Sequence, residues 1–475
     1  MDYRAEMLAA WTEGTWHSAP ESGHVRTSGC NYDTRKLKPQ EAFVALRISR
    51  RDGHAYLQDA QAAGAAIALV EQVNDAVSIP QLQVKDSFQA LQAIATEHRL
   101  RFPGKLIGIT GSCGKTSTKD ILTRFLGETV ALKTPANENN ALGVPITLTH
   151  IDHRQHPFAV IEAGINDVEE MAGLARMIQP DIAMFTTIAP THLEKLRSLE
   201  NIAHEKTQLA LHGKGLEGMV IFPSECLRYR SFQRLSERAF ILCPKGRRPK
   251  CHAAQAFIDY QTRLEAADGC RLEMSSATFG EQVYRLPQLS PGMLSNVCLA
   301  IIAANQCGVS AERIQQVVAN WQPSSMRGEI QRVGDKVFYI DCYNASPASM
   351  VDAFAAFAQA MDPALPRLYV LGCMEELGVE SNELHFTTGL KLKLRKQDRA
   401  IIIGNHATAF CEGIIAAGHS VEQVSLLSTL HEVQQAIGTF AGAVLLKGSR
   451  RYELEKLARN DLQPPDTENT ACSHF

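Results

Sequence analysis

Seven residues, Thr110-Gly111-Ser112-Cys113-Gly114-Lys115-Thr116, constrain this chain more than any other stretch. An apolar run, Leu106 to Ile109, precedes them, and a helix-forming segment follows from Thr116 to Leu126. In the order strand, glycine turn, helix, backbone N–H groups and a helix N-terminus face outward together and favour an anion. Such a loop needs a buried strand behind it, which implies an open, mostly parallel α/β sheet. Lys115 is expected to meet the terminal phosphates of a nucleotide, and Thr116 to offer its hydroxyl to magnesium. The stretch departs from G-x-x-x-x-G-K-[ST], because Ile109 stands where the first glycine would be. The bland alternative is a glycine turn that caps a helix and leaves Lys115 solvated. The strand before the loop and Thr116 after it make that the poorer reading.

With 475 residues the chain exceeds a single core and reads as three domains and a tail. Residues 1–103 carry apolar runs at Ala42 to Leu46 and Ala65 to Val70 around an amphipathic stretch, and predict a small α/β domain. The segment Arg101-Phe102-Pro103-Gly104 marks its end. Residues 104–322 form the expected nucleotide-binding domain, with further strands at Phe158 to Ile161 and Ile182 to Thr186. Beyond Pro323 the pattern restarts at Val337 to Ile340, Leu368 to Leu371, Ala400 to Ile403 and Ala443 to Leu446, which predicts a Rossmann-like α/β domain over 323–460. Residues 461–475 are polar, contain Pro464 and Pro465, and predict a flexible tail.

A net charge of −3 without a recurring basic stripe speaks against a nucleic-acid partner. Asp2, Arg4 and Glu6 interrupt any signal-peptide core, and no apolar run approaches the roughly 18 residues of a membrane span, so a cytoplasmic protein that does not enter a membrane is expected. The 12 cysteines are scattered without a C-x-x-C pair, which favours reduced thiols over disulfides or zinc. No obligate protein partner is predicted.

Three motifs in succession, T-G-S-C-G-K-T (110–116), N-E-N-N-A-L-G-V-P-I-T-L (137–148) and I-E-A-G (161–164), resemble the Mur ligase family. T-H-L-E at 191–194, Lys206 and D-C-Y-N-A-S-P-A-S-M at 341–350 continue the likeness in order. Within that family the MurF type is the nearest match, through D-T-R (33–35), F-V-A-L (43–46), R-D-G-H (51–54), L-G-C-M-E-E-L-G (371–378), His385 and L-K-G-S-R (446–450).

The resemblance implies an ATP-dependent amide ligase of peptidoglycan precursor synthesis. Its carboxylate substrate would be a UDP-linked muramoyl tripeptide, activated as an acyl phosphate, and its amine the dipeptide D-Ala-D-Ala. It implies nucleotide binding by residues 110–116 (Thr110, Gly111, Ser112, Cys113, Gly114, Lys115, Thr116), with Asn296 near adenine, Arg327 on the phosphates and Asp341 on the ribose. Glu162, at the end of a predicted strand, suits a magnesium ion shared with Thr116. The family likeness adds His192 and a carbamylated Lys206 as ligands of a second magnesium, and puts Thr34 and Arg35 at the UDP end of the substrate. Asn139 and Asn140 follow the loop's helix and are substrate candidates, with ordinary turn chemistry as the alternative. His385 and Lys447 lie in motifs assigned to the incoming dipeptide.

Some positions depart from the MurF pattern. Gly292 replaces a histidine, Ser346 an asparagine and Cys373 an aspartate, while Thr187 and Gln208 also differ. The first two adjoin the expected adenine and ribose, and Cys373 is expected to face the acceptor dipeptide. A diverged amide ligase with another carboxylate or amine is therefore the second reading, and a nucleotide-binding protein without turnover the third. A substrate gathered from three domains also predicts hinges near Pro103-Gly104 and Pro323.

Overall fold

The computed structural model describes residues 1–48, 51–249, 253–265 and 269–459, so the predicted tail lies outside the described residues. Three large sheets follow one another along the chain. Residues 15–83 supply a five-stranded sheet in the spatial order Thr15–His17, Gln81–Gln83, Ile67–Val70, Ala42–Val44, Cys30–Asn31, antiparallel only at its first pairing. The Ala42–Val44 and Ile67–Val70 strands are wholly buried, as continuous apolar runs between two covered faces should be.

The second sheet has nine strands, in the order Ala131–Lys133, Phe158–Glu162, Lys105–Thr110, Ile182–Phe185, Met219–Pro223, Ala239–Pro244, Ala256–Glu265, Gly269–Ser276, Gly280–Pro287. The first seven run parallel and the last three are joined antiparallel. One apolar core lies on each face of this sheet. The chain starts the sheet at Lys105–Thr110, builds Ala131–Lys133 and Phe158–Glu162 to one side, and then crosses to Ile182–Phe185 on the other. The strand order thus reverses at Lys105–Thr110, the place where open α/β sheets hold ligands at strand C-termini. The antiparallel extension over 256–287 escaped sequence reasoning, because its strands alternate buried and exposed residues without long apolar runs.

Two helices pack together behind the loop, Lys115–Leu126 and Pro291–Gln306. Ser290 caps the second through its hydroxyl, and Pro291 begins it, where a missing N–H costs nothing. Residues Asn296 to Ala304 of that helix are buried without interruption, so it runs through the interior.

The third sheet has six strands, Glu329–Val333, Lys336–Asp341, Gly442–Lys447, Arg367–Gly372, Arg399–Ile403 and Val424–Leu426, parallel except for the first pairing. The expected three-sheet α/β architecture, with its mostly parallel central sheet, is borne out.

The helix Ser87–Leu100 ties the first sheet to the second. Arg99, fully buried, donates to the carbonyls of Ile178 and Gln179 and to Asp181 at 2.8 Å. His98 accepts from the Tyr3 hydroxyl at Nδ1 and donates from Nε2 to the Ile151 carbonyl at 2.7 Å, with His153 stacked against it. Burial, with the positive neighbour His153, holds the His98 imidazole neutral down to about 3. An unfolded chain would protonate it near the ordinary value of 6.5, so as pH drops from 6.5 towards about 3 the unfolded state binds the extra proton and stability is lost. Urea unfolding at pH 7 and pH 5 should therefore show a larger loss for the wild-type chain than for His98→Gln.

Candidate functional site

A cavity of about 1020 Å³ opens at the reversal point of the central sheet. The phosphate loop forms its floor, and residues of the third domain, among them Arg327, Asp341, Asn344 and Ser346, form the facing wall.

The loop is shaped by two glycines. Gly111 has φ +154°, and a Cβ there would lie 1.9 Å from the Thr186 hydroxyl, which itself donates to the Cys113 carbonyl. Gly114 has φ +82°, and a Cβ would lie 2.4 Å from Asn296 Oδ1. Glycine is thus required both for backbone angle and for close approach. Lys115 follows as the first residue of the helix and folds back over the loop, its Nζ donating to the Gly111 carbonyl at 2.9 Å.

Thr116 sits at the centre of a polar cluster. Its hydroxyl donates to Glu162 at 2.9 Å and accepts from the Arg327 guanidinium at 3.0 Å. Asn139 Nδ2 donates to the other carboxylate oxygen at 2.7 Å. Glu162 is 1 % exposed, and its own N–H donates to Thr134 Oγ1. Behind it lies Lys119, 2 % exposed, with Nζ 3.7 Å from Glu162 and hydrogen-bonded to the Thr134 carbonyl. Sequence reasoning passed over Lys119, although its place one helical turn after Lys115 gave it the same face. Burial lowers its pKa, while Glu162 opposes that shift.

Lys206 lies in the helix Leu199–Thr207 and is almost wholly buried. Desolvation, reinforced by the charge of Lys115, pushes its ammonium well below the ordinary lysine value. His192 lines the cavity in left-handed backbone, φ 51°, and contacts Glu376 of the third domain, also left-handed at φ 63°. Non-glycine residues held there cost about 1 to 3 kcal/mol each and persist where surrounding contacts enforce them.

Across the cavity, Lys447 Nζ pairs with Asp341 at 3.1 Å and donates to the Asn344 carbonyl. The Arg327 guanidinium lies over the Tyr343 ring at 4.2 Å, which fixes its plane. The thiol of Cys113 meets the Ser346 hydroxyl at 2.9 Å, and Ser346 caps the helix Pro347–Ala360. Asp352 of that helix accepts from the Ser290 hydroxyl and the Gly292 N–H, and thereby caps the buried central helix from another domain.

Family comparisons agree with this arrangement. A model described as the Mur ligase middle domain matches residues 109–304, and one described as the Mur ligase, glutamate ligase domain matches 326–450. The chain is 30 % identical over 446 residues to the UDP-N-acetylmuramoyl-tripeptide--D-alanyl-D-alanine ligase of Haemophilus influenzae, covering 91 % of this chain and 93 % of that one. The chain belongs to the Mur ligase family. Among solved structures, MurF from Acinetobacter baumannii matches with a TM-score of 0.81 and 26 % identity over 97 % of this chain and 98 % of that one. A MurF ligase from Thermotoga maritima in complex with ADP shares the fold, with a TM-score of 0.73 and 22 % identity over 92 % and 96 % of the two chains.

In this Mur ligase, several expected site positions take supporting places instead. Thr110 is fully buried behind the loop, where its backbone carbonyl accepts from Thr186 N–H, so its side chain does not reach a nucleotide. His385 is also fully buried: Nδ1 donates to the Ser381 carbonyl and Nε2 accepts from Met374 N–H. With both nitrogens engaged, it braces the Met374–Leu377 loop. Lys447 is 2 % exposed and committed to Asp341, which joins it to the expected ribose position. Cys373, expected to face the acceptor, is buried in the third core, and burial pushes its thiol up to about 11. Asn140 uses Oδ1 to accept from Leu142 and Gly143 N–H, the turn chemistry weighed against a substrate role, while still lining the cavity. Thr34 and Arg35 lie on the first domain away from the cavity lining. The Arg35 guanidinium forks onto Asp33 at 2.7 and 2.8 Å, in a turn whose Lys36 approaches Glu138 at 3.9 Å.

Among the described residues no three His, Cys, Asp or Glu side chains gather at one point. Hard cations take oxygen ligands, and a hydroxyl beside a carboxylate offers two of them. The Thr116 hydroxyl beside the Glu162 carboxylate provides such a pair.

Gly114→Ala should weaken nucleotide binding at least about tenfold, since the added methyl collides with Asn296 and about 1.4 kcal/mol of strain already gives that factor. Titration of wild type and variant with a fluorescent ADP analogue reads this directly.

Proposed function

We propose that this Mur ligase joins D-alanyl-D-alanine to UDP-N-acetylmuramoyl-tripeptide in the cytoplasm, consuming ATP by way of an acyl phosphate. As a Mur ligase it forms a carbon–nitrogen bond. The substrates are those named for the Haemophilus relative and its counterparts in Bacillus subtilis and Escherichia coli, which the chain matches over nine-tenths of its length or more.

The observation that carries the reading is the convergence on the Thr116 hydroxyl of Glu162 from one strand end and Arg327 from the next domain. An amide made in water needs the carboxylate to acquire a leaving group, and transfer of the γ-phosphoryl is chiefly a matter of position and charge. In this reading the loop amides and Lys115 cradle the β- and γ-phosphates. Arg327, its guanidinium oriented by the Tyr343 ring, faces the transferring group and offsets charge as it spreads over the equatorial oxygens. Bound magnesium would neutralise part of that charge. Glu162 and Thr116 would hold one ion, and His192 with Lys206 a second. Lys206 is the residue that would become a carbamate in this reading, and burial, by lowering its ammonium pKa, favours the amine form that adds carbon dioxide. Asp341, held by Lys447, faces the ribose, and Asn296 sets the loop through Gly114.

The division at residues 103/104 and 322/323 belongs to the same reading: the first domain, through Thr34 and Arg35, holds the UDP end, the second holds ATP, and the third closes over both. Phosphate release should require ATP, magnesium, the UDP-linked tripeptide and D-Ala-D-Ala together. Lys115→Ala should abolish it, and Arg327→Ala should lower kcat by about a hundredfold. Release that is indifferent to the tripeptide, or full turnover with a different amine, would refute the substrate assignment.

A further inference from the structure

His192 begins the short helix Leu193–Leu196 of the central domain, and Glu376 lies in the loop that follows the third-domain strand Arg367–Gly372. Their side chains hydrogen-bond across the domain boundary, Nδ1 to Oε2. The two backbones are also in contact. A Cβ on Gly378, itself at φ +62°, would lie 3.1 Å from the Glu194 Cα, so the loop is seated directly on the His192 turn.

Neighbouring charges already have other partners. Lys195 pairs with Asp167 at 3.1 Å. Glu375 accepts from the Tyr452 hydroxyl at 2.6 Å and from Arg451. Glu376 has His192 as its hydrogen-bond partner, and His192 Nε2 has none among the described residues. An ionised carboxylate only accepts, so its contact puts the proton of a neutral imidazole on Nδ1 and leaves the lone pair on Nε2. Two residues of different domains, each in backbone that non-glycine residues avoid, thus aim at one another beside the cavity.

We propose that Glu376 is a positioning residue for His192: the third domain supplies the carboxylate that fixes the imidazole tautomer and directs Nε2 into the cavity as a cation ligand. This rests on the reading of His192 as a magnesium ligand given above. Docking of the third domain then completes the cation site as well as the phosphate site, since Arg327 arrives with the same domain. Metal-bound histidines generally donate their second nitrogen to such a partner, and losing it costs about 10- to 100-fold in metal affinity or activity.

The test is Mn²⁺ titration by electron paramagnetic resonance on the full chain with ADP, for wild type, Glu376→Gln, Glu376→Ala and His192→Ala, with thermal midpoints measured alongside. Glu376 is an exposed side chain, so its variants should keep the wild-type midpoint. Glu376→Ala should weaken the His192-dependent Mn²⁺ site at least about tenfold. Glu376→Gln presents an amide oxygen to the same Nδ1–H and should stay within about threefold of wild type. Wild-type Mn²⁺ affinity in Glu376→Ala, with affinity lost in His192→Ala, would overturn the positioning role alone. Glutamine as damaging as alanine would overturn it too, because negative charge rather than the hydrogen bond would then be what acts. Unchanged Mn²⁺ binding in His192→Ala would remove the metal role of His192 itself, and this inference with it.

Discussion

The Glu162 carboxylate, almost fully buried at the end of a central strand, is the group around which the rest of the site is built. A buried charge is costly unless its oxygens are hydrogen-bonded and an opposite charge stands near. Thr116 and Asn139 donate to those oxygens, while Lys119 supplies the charge from behind. The partners arrive on two elements: the loop helix brings Thr116 and Lys119, and the Asn137–Asn140 turn brings Asn139. Satisfying one carboxylate therefore fixes the relative placement of loop, helix and strand.

The same cluster reaches into the third domain. Arg327 donates to the Thr116 hydroxyl, Ser346 meets Cys113, and Asp352 caps the helix that holds Asn296 against Gly114. These contacts are polar and mostly single, so docking of the third domain couples to the phosphate loop through hydrogen bonds. Two departures of this chain from the MurF motif, Gly292 and Ser346, fall at the seam. Gly292 leaves room for the Asp352 carboxylate, since a Cβ at that position would lie 2.8 Å from Oδ2. Ser346 is short enough to cap its own helix and still reach the loop. Cys373 lies in the core behind the seam, and its thiol replaces a charge that would have needed a partner there.

Much of the architecture was legible in the chain because parallel strands buried on both faces leave continuous apolar runs. Leu106 to Ile109, Phe158 to Ile161, Leu368 to Leu371 and Ala443 to Leu446 all fall within observed strands. The hairpin extension over 256–287 was not legible, since one of its faces meets solvent and the strands lose that signature. In the site, the loop motif located Lys115, Thr116 and Glu162 because each stands at a strand or helix terminus. His385 and Lys447 stand in equally distinctive motifs, yet both side chains are buried and hydrogen-bonded to neighbouring protein groups. A motif records that a residue type is needed, and a brace needs it as much as a ligand contact does.

By itself, the sequence determined the strand, loop and helix that make an anion site, the order of three α/β units, and the family likeness carried by motifs from Asp33 to Arg450. Local covalent order suffices for these, because a glycine turn before a helix N-terminus sets its own geometry over seven residues. Only the tertiary structure decided which side chains meet. Arg327 and Thr116 are 211 residues apart, and His192 and Glu376 184. Contacts across such separations depend on how two sheets dock, and no local pattern encodes that distance. Burial decided the rest, lowering the Lys206 pKa and turning Thr110, Cys373 and His385 inward according to what packed over them.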